Sequence, residues 1–227
     1  EPYKLTPRAG SKTRKGLWKC KACRKQFTVT VGTVFEGSRI PIKTWLMAVS
    51  LIVSSKKGIS AHQIHRMFGV TYKTAWFMMH RIRYAMTQPV LKAKLEGVVE
   101  CDETYLGGRR RGGKRGRGTD KMIVVSLVER KGEVVSKSFD MLTANELQDH
   151  IKEQVDKEAR IMTDEFKSYR GLDKHFREHQ TVKHGNKEYV RGEVYTNTGD
   201  GFFSLLKRGV NGTFHQYQQT TFTLLFK

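Results

Sequence analysis

Two apolar runs in the second half of the chain end in an aspartate, and a third aspartate opens an amphipathic stretch. The runs are VVECD, which ends at Asp102, and RIMTD, which ends at Asp164. Asp200 precedes the stretch GFFSLLKR, in which apolar residues recur at helical spacing. Because carboxylates at two strand ends and one helix start can converge on one point, the pattern predicts an acidic cluster.

The order of the predicted elements in this half of the chain restricts the fold further. We expect strands and helices in the order β-β-β-α-β-α-β-α. The predicted bounds are strands at Val98–Leu106, Lys121–Glu129 and Glu133–Phe139, a helix at Ala144–Ala159 capped by Thr143 or Asn145, a strand at Arg160–Thr163, a short helix at Ser168–Phe176, a strand at Gln180–His184, and a last helix that Asn197 or Thr198 caps and that ends near Arg208. The ribonuclease H fold has this order, with three antiparallel strands followed by βα units in one mixed sheet.

The three acids predict a site for a divalent cation. Mg²⁺ prefers oxygen ligands, and clustered carboxylates repel one another when no cation is bound. Two ions about 4 Å apart can stabilise both the attacking and the leaving oxygen of a phosphoryl displacement. We therefore expect Asp102, Asp164 and Asp200 to bind Mg²⁺ or Mn²⁺, as two ions. Lys207 falls on the same helical face as Asp200, where it would contact a DNA phosphate.

The charge of the chain favours a nucleic-acid partner. Lys and Arg number 42 against 22 Asp and Glu, which gives a net charge of +20. Neutralising phosphates releases counterions and supplies most non-specific affinity, although a basic ribosomal protein is the alternative. The cysteines do not form a secreted disulfide framework, and the longest apolar stretch, Trp45 to Val53, is too short to span a bilayer. We expect a cytoplasmic, nucleoid-associated protein that does not enter membranes.

The N-terminal segment at 1–36 contains two cysteines in a C-x-x-C pattern. Cys20 and Cys23 lie between aromatic and β-branched residues, which predicts a strand, a metal-binding turn and a second strand. This is half of a zinc ribbon, because tetrahedral Zn²⁺ needs four ligands. A complete site would require an upstream cysteine pair. The alternative is that the two thiols are inert or redox-active.

The segment at 40–88 has the pattern of a helix-turn-helix. A short helix ends before Gly69, and a longer helix begins near Tyr72. The second helix would enter the major groove of DNA, and an ordinary helical hairpin with a basic face is the alternative. The residues expected to contact DNA are Thr71, Tyr72, Lys73, Thr74, Arg81 and Arg83.

A glycine-rich basic loop separates the first two predicted strands of the second half. Such a loop cannot pack, so its composition predicts a flexible, polybasic segment. Its position next to Asp102 favours a role in holding phosphates, and a solubilising loop is the alternative. The expected DNA contacts, together with Arg208 on the last helix, are Arg109, Arg110, Arg111, Lys114, Arg115 and Arg117.

Three stretches resemble one known family closely. They are CDETYLGG at 101–108, MTD at 162–164 and TNTGDGFFSLLKRG at 196–209. They resemble bacterial insertion-sequence transposases of the ISXO type, which have an N-terminal zinc ribbon, a helix-turn-helix and a DDE catalytic domain. The stretches GLWKC at 16–20 and YKTAWF at 72–77 are also similar to that family. The resemblance extends to about His215.

The resemblance implies a multidomain α+β protein and a specific reaction. The implied parts are a partial zinc ribbon at 1–36, a helix-turn-helix at 40–88, a ribonuclease H-like DDE domain at 97–215 and a tail at 216–227. The implied activity is Mg²⁺-dependent cleavage at the ends of an insertion sequence, followed by attack of the freed 3′-OH on target DNA. The implied partners are double-stranded DNA and further copies of the chain, in a homodimer or a higher synaptic complex.

One departure from the family concerns the third acid, which is usually Glu and is Asp200 here. Aspartate is shorter by about one C–C bond, ~1.5 Å. Asn197, one helical turn earlier, could share the ligand role. Two alternatives to an active transposase are therefore a catalytically impaired, transposase-derived DNA-binding protein and a ribonuclease H-fold nuclease that cuts without joining.

Overall fold

Two units make up the structure, a computed structural model that describes residues 1–6, 10, 16–87, 94–107 and 121–214. The first unit comprises Glu1–Ser55 and Ala61–Ala85, and the second comprises Lys56–Ser60 and Met86–Lys227. The residues expected to form the polybasic loop, and the tail at 216–227, lie outside the described residues. These loop residues are Arg109, Arg110, Arg111, Lys114, Arg115 and Arg117.

In the first unit, short strands flank the two N-terminal cysteines. Strands β1 (Pro2–Lys4), β2 (Trp18–Cys20) and β3 (Gln26–Phe27) form an antiparallel sheet with β2 in the centre. The turn from β2 to β3 is closed by a 3.0 Å hydrogen bond from the Cys20 N–H to the Lys25 carbonyl. The C-x-x-C pair therefore lies on a strand–turn–strand element, as its flanking residues predict.

The same unit continues with helices α1 (Ile42–Ser54), α2 (Ala61–Phe68) and α3 (Tyr72–Thr87). The turn between α2 and α3 contains Gly69, whose φ of 65° is in the left-handed region that favours glycine. A buried cluster joins α1 and α3, and it consists of Trp45, Ala48, Met78 and Ile82. The indole N–H of Trp45 donates to the Ser38 hydroxyl at 2.9 Å, so the polar atom of this buried ring is satisfied.

The second unit is built on a mixed sheet of strands β4 (Val98–Leu106), β5 (Met122–Glu129), β6 (Val134–Phe139), β7 (Arg160–Thr163) and β8 (Glu178–Thr181). The strand order is β6-β5-β4-β7-β8. The pairs β6–β5 and β5–β4 are antiparallel, whereas β4–β7 and β7–β8 are parallel. Strand β4 is therefore the central strand, and its long apolar run fits a position that is covered on both faces.

Two helices cover opposite faces of this sheet. Helix α4 (Ala144–Gln154) packs on the face that carries Val99 and Cys101 of β4. Helix α5 (Asn197–Gly209) packs on the face that carries Leu106 of β4. Because side chains alternate along a strand, Glu100 and Asp102 point to the α5 face. A short hairpin of β9 (Val190–Arg191) and β10 (Val194–Tyr195) precedes α5, and a π-helical turn at Val210–Phe214 follows it.

The sequence-based bounds of three elements need correction. Helix α4 ends at Gln154 and not at Ala159, because Val155 is extended and forms a parallel bridge with Leu95. The expected helix at Ser168–Phe176 is two 3₁₀ turns, which Gly171 separates with a left-handed φ of 94°. Strand β8 lies at Glu178–Thr181 and not at Gln180–His184, because its parallel pairing with β7 ends at Thr181.

The predicted capping of α4 is confirmed. The Thr143 hydroxyl accepts a hydrogen bond from the Glu146 N–H at 3.3 Å, and the Glu146 carboxylate accepts one from the Thr143 N–H at 3.0 Å. This reciprocal pair is a capping box, which satisfies two otherwise unpaired backbone donors. Among the helices that the structure describes, none is long and apolar enough to cross a membrane.

Candidate active site

Asp102 and Asp164 lie at neighbouring positions of two parallel strands. The register of β4 and β7 pairs Glu100 with Met162, and two residues further along each strand are Asp102 and Asp164. Asp164 comes directly after the last residue of β7, and one of its carboxylate oxygens accepts a 2.9 Å hydrogen bond from the Phe166 N–H. The strand pairing thus brings together two acids that are distant in sequence.

Helix α5 brings the third predicted acid to the same part of the sheet. Its first turn packs so closely on β4 that a methyl group added at Gly199 would lie 3.9 Å from the Asp102 Cβ. Asp200 is the next residue, and its side chain is exposed. The helix that carries Asp200 therefore begins beside Asp102.

The electrostatics of Asp102 reflect this arrangement. The pKa of Asp102 is raised to about 8, mainly by burial and further by the negative charges of Glu103, Asp164 and Asp200, against a hydrogen bond from the Glu103 N–H. The donor in that bond is 2.8 Å from the Asp102 carboxylate. Asp164 and Asp200 therefore both act on Asp102, and a cation placed among the three would relieve this repulsion.

The donors available at this site suit a hard cation. They are the carboxylate oxygens of the three aspartates, and α5 also carries the amide oxygen of Asn197 one turn before Asp200. Mg²⁺ and Mn²⁺ prefer such oxygen ligands. No group of three or more His, Cys, Asp or Glu side chains in the described part of the chain is arranged closely enough to hold a metal ion as it stands. The charges of Asp164 and Asp200 act on Asp102, and a shared cation would have to draw the carboxylate oxygens closer together.

A buried carboxylate two residues before Asp102 holds the start of α5. Glu100 is fully buried and accepts hydrogen bonds from the Thr198 N–H at 2.9 Å, the Gly199 N–H at 3.0 Å and the Thr198 hydroxyl at 2.8 Å. It also forms a 2.7 Å ion pair with Arg130. The prediction that Asn197 or Thr198 caps this helix is therefore wrong, because the cap is supplied by a distant strand. In the sequence, the one sign of this role is that the charged Glu100 stands within the apolar run VVECD.

The comparisons with known proteins point to one family. Residues 94–224 match the ISXO2-like transposase domain. A protein of Halobacterium salinarum, described as an uncharacterized protein in transposable element ISH50, is 33% identical over 208 residues, which cover 83% of this chain and 69% of that protein. The chain belongs to the ISXO2-like transposase family. The family predicted from the sequence is confirmed, and the matched range of this transposase contains Asp102, Asp164 and Asp200.

Two further glutamates of the transposase lie next to the aspartates but serve other contacts. Glu103 points to the α4 face of β4, where it accepts a 2.7 Å hydrogen bond from the buried Tyr169 hydroxyl. Glu165 accepts hydrogen bonds from the N–H groups of His184 and Gly185 at 2.7 and 2.8 Å. These N–H groups help to lower the pKa of Glu165. Both acids thus support the local structure.

The basic residues predicted on α5 lie on its exposed surface. Lys207 and Arg208 are both exposed in the last turns of the helix, and the Arg208 guanidinium donates to the Ser204 carbonyl at 3.2 Å. Asn197 is exposed at the start of the same helix. The side chains are accessible to a polyanion, and their roles in the transposase remain predictions.

The residues predicted to contact DNA in the first unit have two kinds of environment. Tyr72 and Lys73 are exposed at the start of α3, where Tyr72 stacks on His62 with ring centroids 4.2 Å apart. Thr71 accepts a 3.2 Å hydrogen bond from the Thr74 N–H, and the two hydroxyls are 2.8 Å apart. Thr71 and Thr74 thus stabilise the start of the helix.

The two arginines further along α3 are engaged within the first unit. Arg81 donates a 2.6 Å hydrogen bond to the Glu36 carbonyl, and its guanidinium lies 5.7 Å from the centre of the Phe77 ring. Burial lowers the pKa of Arg83 to about 10. These contacts hold α3 in the unit, which leaves Lys73 as the accessible cation at the start of the helix.

The C-x-x-C turn has features that suit metal binding. The pKa of Cys20 is lowered, first by hydrogen bonds from the backbone and side chain of Cys23 and then by the backbone of Ala22. Cys20 is half-buried and Cys23 is exposed, and both are free thiols. A thiolate is the form that binds Zn²⁺, so this turn could supply two of the four ligands of a tetrahedral site.

Proposed function

We propose that this protein is a transposase that cleaves DNA at the ends of an insertion sequence and transfers the freed ends into target DNA in a divalent-metal-dependent reaction. The observation that carries the proposal is geometric: the β4–β7 register puts Asp102 and Asp164 at neighbouring positions, and the first turn of α5, which bears Asp200, packs on Asp102. A protein does not gather repelling carboxylates beside a partly buried aspartate without a cost in stability. A cation-binding role at a DNA-processing centre explains that cost.

The roles of the residues follow from their positions. Asp102, Asp164 and Asp200 would hold Mg²⁺ or Mn²⁺, two ions in the complete centre, and Asn197 would share the ligand role of the short Asp200. Bound cations would stabilise the charge on the attacking and leaving oxygens of the phosphodiester. Lys207 would contact a phosphate of the bound DNA and orient the strand. The order of the sheet, with three antiparallel strands followed by parallel ones, supports a ribonuclease H-like catalytic domain.

The first unit would bind the DNA ends of the element. The helix order, the glycine turn at Gly69 and the exposed start of α3 support a helix-turn-helix within 40–88. Tyr72 and Lys73 would approach the major groove, with Thr71 and Thr74 fixing the start of the helix. The polybasic residues of 109–117 and Arg208 would contact phosphates near the catalytic centre.

Two further components complete the proposal. Cys20 and Cys23, within 1–36, would form half of a zinc ribbon if another cysteine pair supplies the remaining ligands. The two ends of one element must be brought together for joining, so the active form would be a homodimer or a higher synaptic complex. The ribonuclease H-like catalytic domain would occupy 97–215.

A strand-transfer assay tests the proposed reaction. Labelled duplexes carrying the terminal repeat of the element would be incubated with the full chain, supercoiled target plasmid and Mg²⁺ or Mn²⁺. We expect joined products with the wild type and a loss of at least ~100-fold in both cleavage and joining for Asp102→Asn and Asp164→Asn. Asp149→Asn, at an exposed position of α4 on the other face of the sheet, is the matched control.

A second candidate function is a catalytically impaired, transposase-derived DNA-binding protein. The aspartate at position 200 favours it, because the family usually has the longer Glu there and a displacement of about 1 Å can reduce a rate on the order of 100-fold. Binding of the terminal repeat without cleavage would support this alternative. Cleavage without joining would instead indicate a ribonuclease H-fold nuclease. Asp200→Glu would raise activity if length alone limits the reaction.

A further inference from the structure

The strongest feature outside the three acids is the buried network around Glu100. Its carboxylate is removed from solvent, and an unpaired buried charge is very unfavourable. It is satisfied by Arg130, by two backbone N–H groups of α5 and by the Thr198 hydroxyl. Buried ion pairs are often no more stabilising than apolar residues of the same size, so stability alone does not explain this one.

The geometry supplies an explanation. Glu100 and Asp102 lie on the same face of β4, about 7 Å apart along the strand. Thr198 and Gly199, which Glu100 holds, directly precede Asp200 in α5. The carboxylate of Glu100 therefore fixes the start of α5 against the strand that carries Asp102. The distance between Asp102 and Asp200 depends on this attachment.

Arg130 extends the attachment to the segment that leads into α5. Besides its bond to Glu100, its guanidinium donates to the Glu193 carbonyl at 2.8 Å and to the Tyr195 carbonyl at 2.9 Å. It also lies 3.6 Å from the centre of the Tyr195 ring. The planar guanidinium of Arg130 thus binds both the Glu100 side chain and the segment of β10. A lysine has a single ammonium group and could not make the same set of hydrogen bonds.

The start of α5 receives no cap from its own sequence. The N-cap residue, Thr196, makes no side-chain capping bond, and its buried hydroxyl has no hydrogen-bond partner among the described residues. The first N–H groups of a helix need acceptors, and here Glu100 provides them. Removing the Glu100 charge would therefore loosen the turn that contains Asp200.

We propose that Glu100 and Arg130 are positioning residues, which hold Asp200 at the distance from Asp102 that a shared divalent cation requires. This inference rests on the proposed function, because it assumes that Asp102 and Asp200 bind the same cation centre. Neither residue is expected to contact the cation, since the polar atoms of Glu100 are already occupied by Arg130 and α5. The short Asp200 makes the placement of the helix especially important.

The test is Glu100→Gln in the full chain, with Mn²⁺ as the probe. Glutamine keeps the size of the side chain but replaces one acceptor oxygen with an amide that cannot accept from an N–H. We expect the dissociation constant for Mn²⁺, measured by electron paramagnetic resonance of the free ion, to rise about 10- to 100-fold. Cleavage of the terminal-repeat duplex should fall accordingly at low Mn²⁺ and recover at saturating Mn²⁺, with DNA affinity unchanged.

Two other variants keep the inference testable if Glu100→Gln does not fold. Arg130→Lys retains the charge but loses the fork, and it should weaken Mn²⁺ binding in the same direction. Glu178→Gln breaks the Arg160–Glu178 pair, another arginine–glutamate contact of the same sheet, and should leave Mn²⁺ binding unchanged. Hydrogen exchange at 197–200 should accelerate in Glu100→Gln and Arg130→Lys and not in Glu178→Gln.

The outcomes separate this inference from the proposed function. Folded Glu100→Gln and Arg130→Lys proteins that bind Mn²⁺ as tightly as the wild type would overturn the positioning role and leave the proposed function intact. A wild type that binds Mn²⁺ no better than Asp102→Asn would overturn the shared cation centre itself, and the positioning role with it. Weakened binding that excess Mn²⁺ overcomes would support both.

Discussion

A methyl group on Gly199 would lie only 3.9 Å from the Asp102 Cβ, so the first turn of α5 rests on the side chain of β4. This separation is an ordinary van der Waals contact, and the φ of Gly199 is not in the left-handed region. The position therefore has room for a methyl group, which would contact the Asp102 side chain. The distance between the acid-bearing helix and strand is set by this packing together with the Glu100 contacts.

We predict that Gly199→Ala is tolerated and that Gly199→Leu is not. Alanine fills the available space and raises helix propensity by up to about 1 kcal/mol, so the free energy of unfolding should stay equal or rise. Leucine would push α5 away from β4, and the Mn²⁺ dissociation constant should rise about 10-fold or more. Urea unfolding and Mn²⁺ titration check both variants. Equal Mn²⁺ binding by the alanine and leucine variants would show that this packing does not control the site.

We predict that Asp102→Asn stabilises the metal-free protein at alkaline pH. The pKa of Asp102 is raised from 3.8 to about 8, so its contribution to stability is fully present below about pH 4 and is lost as the pH rises toward 8. In EDTA at pH 8, the variant should exceed the wild type by on the order of 5 kcal/mol in the free energy of unfolding, because the pKa lies about four units above its ordinary value and each unit corresponds to ~1.4 kcal/mol. The difference should shrink toward pH 4.

Urea unfolding at several pH values measures this difference, with Asp149→Asn as the control for a lost surface charge. Added Mg²⁺ should stabilise the wild type and not Asp102→Asn, because the charge that repels its neighbours would then bind a cation. A gap between the two proteins that is the same at pH 4.5 and pH 8 would contradict the assignment of the pKa.

His150 predicts a loss of stability in mild acid that is separate from the acidic site. It is buried on α4, its ring nitrogens have no hydrogen-bond partner among the described residues, and burial with the charge of Lys137 lowers its pKa to about 4. A lowered histidine pKa means that the contribution is present above about pH 6.5 and is lost as the pH falls toward 4. The wild type should lose about 2 kcal/mol between pH 7 and pH 5 from this group.

His150→Leu removes the titrating ring while keeping an apolar side chain of similar size. The variant should lack this part of the pH dependence and should be more stable than the wild type at pH 5. His175→Asn, at an exposed position, should leave the pH dependence unchanged. Thermal unfolding at pH 5 and pH 7 checks the prediction, which fails if His150→Leu and the wild type lose equal stability.

Lys73 predicts a contribution to DNA binding that depends on salt. It is exposed at the start of α3, so it can reach a phosphate without leaving a contact within the unit. Lys73→Ala should weaken binding of the terminal-repeat duplex and reduce the slope of log Kd against log salt by about 1. Lys43→Ala, at an exposed position of α1, is the matched control. Equal salt slopes for both variants would argue against a phosphate contact at position 73.

The three cysteines predict a simple labelling pattern. Cys20 has a lowered pKa and Cys23 is exposed, whereas burial and the charges of Asp102 and Glu100 raise the pKa of Cys101. A thiol reagent at pH 8 should modify Cys20 and Cys23 in the native protein and Cys101 only after unfolding. Zn²⁺ should slow the first two reactions if the pair binds metal. Mass spectrometry of digested, labelled protein identifies the modified residues.

Strands and helices with continuous patterns could be predicted from the sequence. The bounds of β4 and β7 agree with the prediction, because both are apolar runs in the middle of the sheet. Strand β8 was placed two residues too late, since its polar sequence EHQT gives no hydrophobic signal and its position is set by pairing with β7. Helix α4 was predicted too long, because Val155 continues the helical spacing but pairs with Leu95.

The parts of the candidate site that depend on contacts between distant residues were harder to predict from the sequence. The three aspartates could be selected because each one interrupts or opens an apolar pattern. The role of Glu100 could not be predicted, since its partners Arg130, Thr198 and Gly199 come from other elements. The hydrogen bond from Arg81 to the Glu36 carbonyl also depends on a tertiary contact. The sequence alone therefore predicts Arg81 as a cation available to DNA, although it is bound within the unit.

The alternation along β4 has a consequence for how this gene can vary. Val99 and Cys101 enter the hydrophobic interior on one side, while Glu100 and Asp102 meet the helix that bears Asp200 on the other. Deleting or inserting a single codon of this strand before Asp102 would move every later side chain to the opposite face, and Asp102 would then point to the apolar α4 side. Single substitutions in β4 can have graded effects, but a change in the length of the strand should prevent folding. Related sequences should therefore differ in residue types along β4 and not in its length.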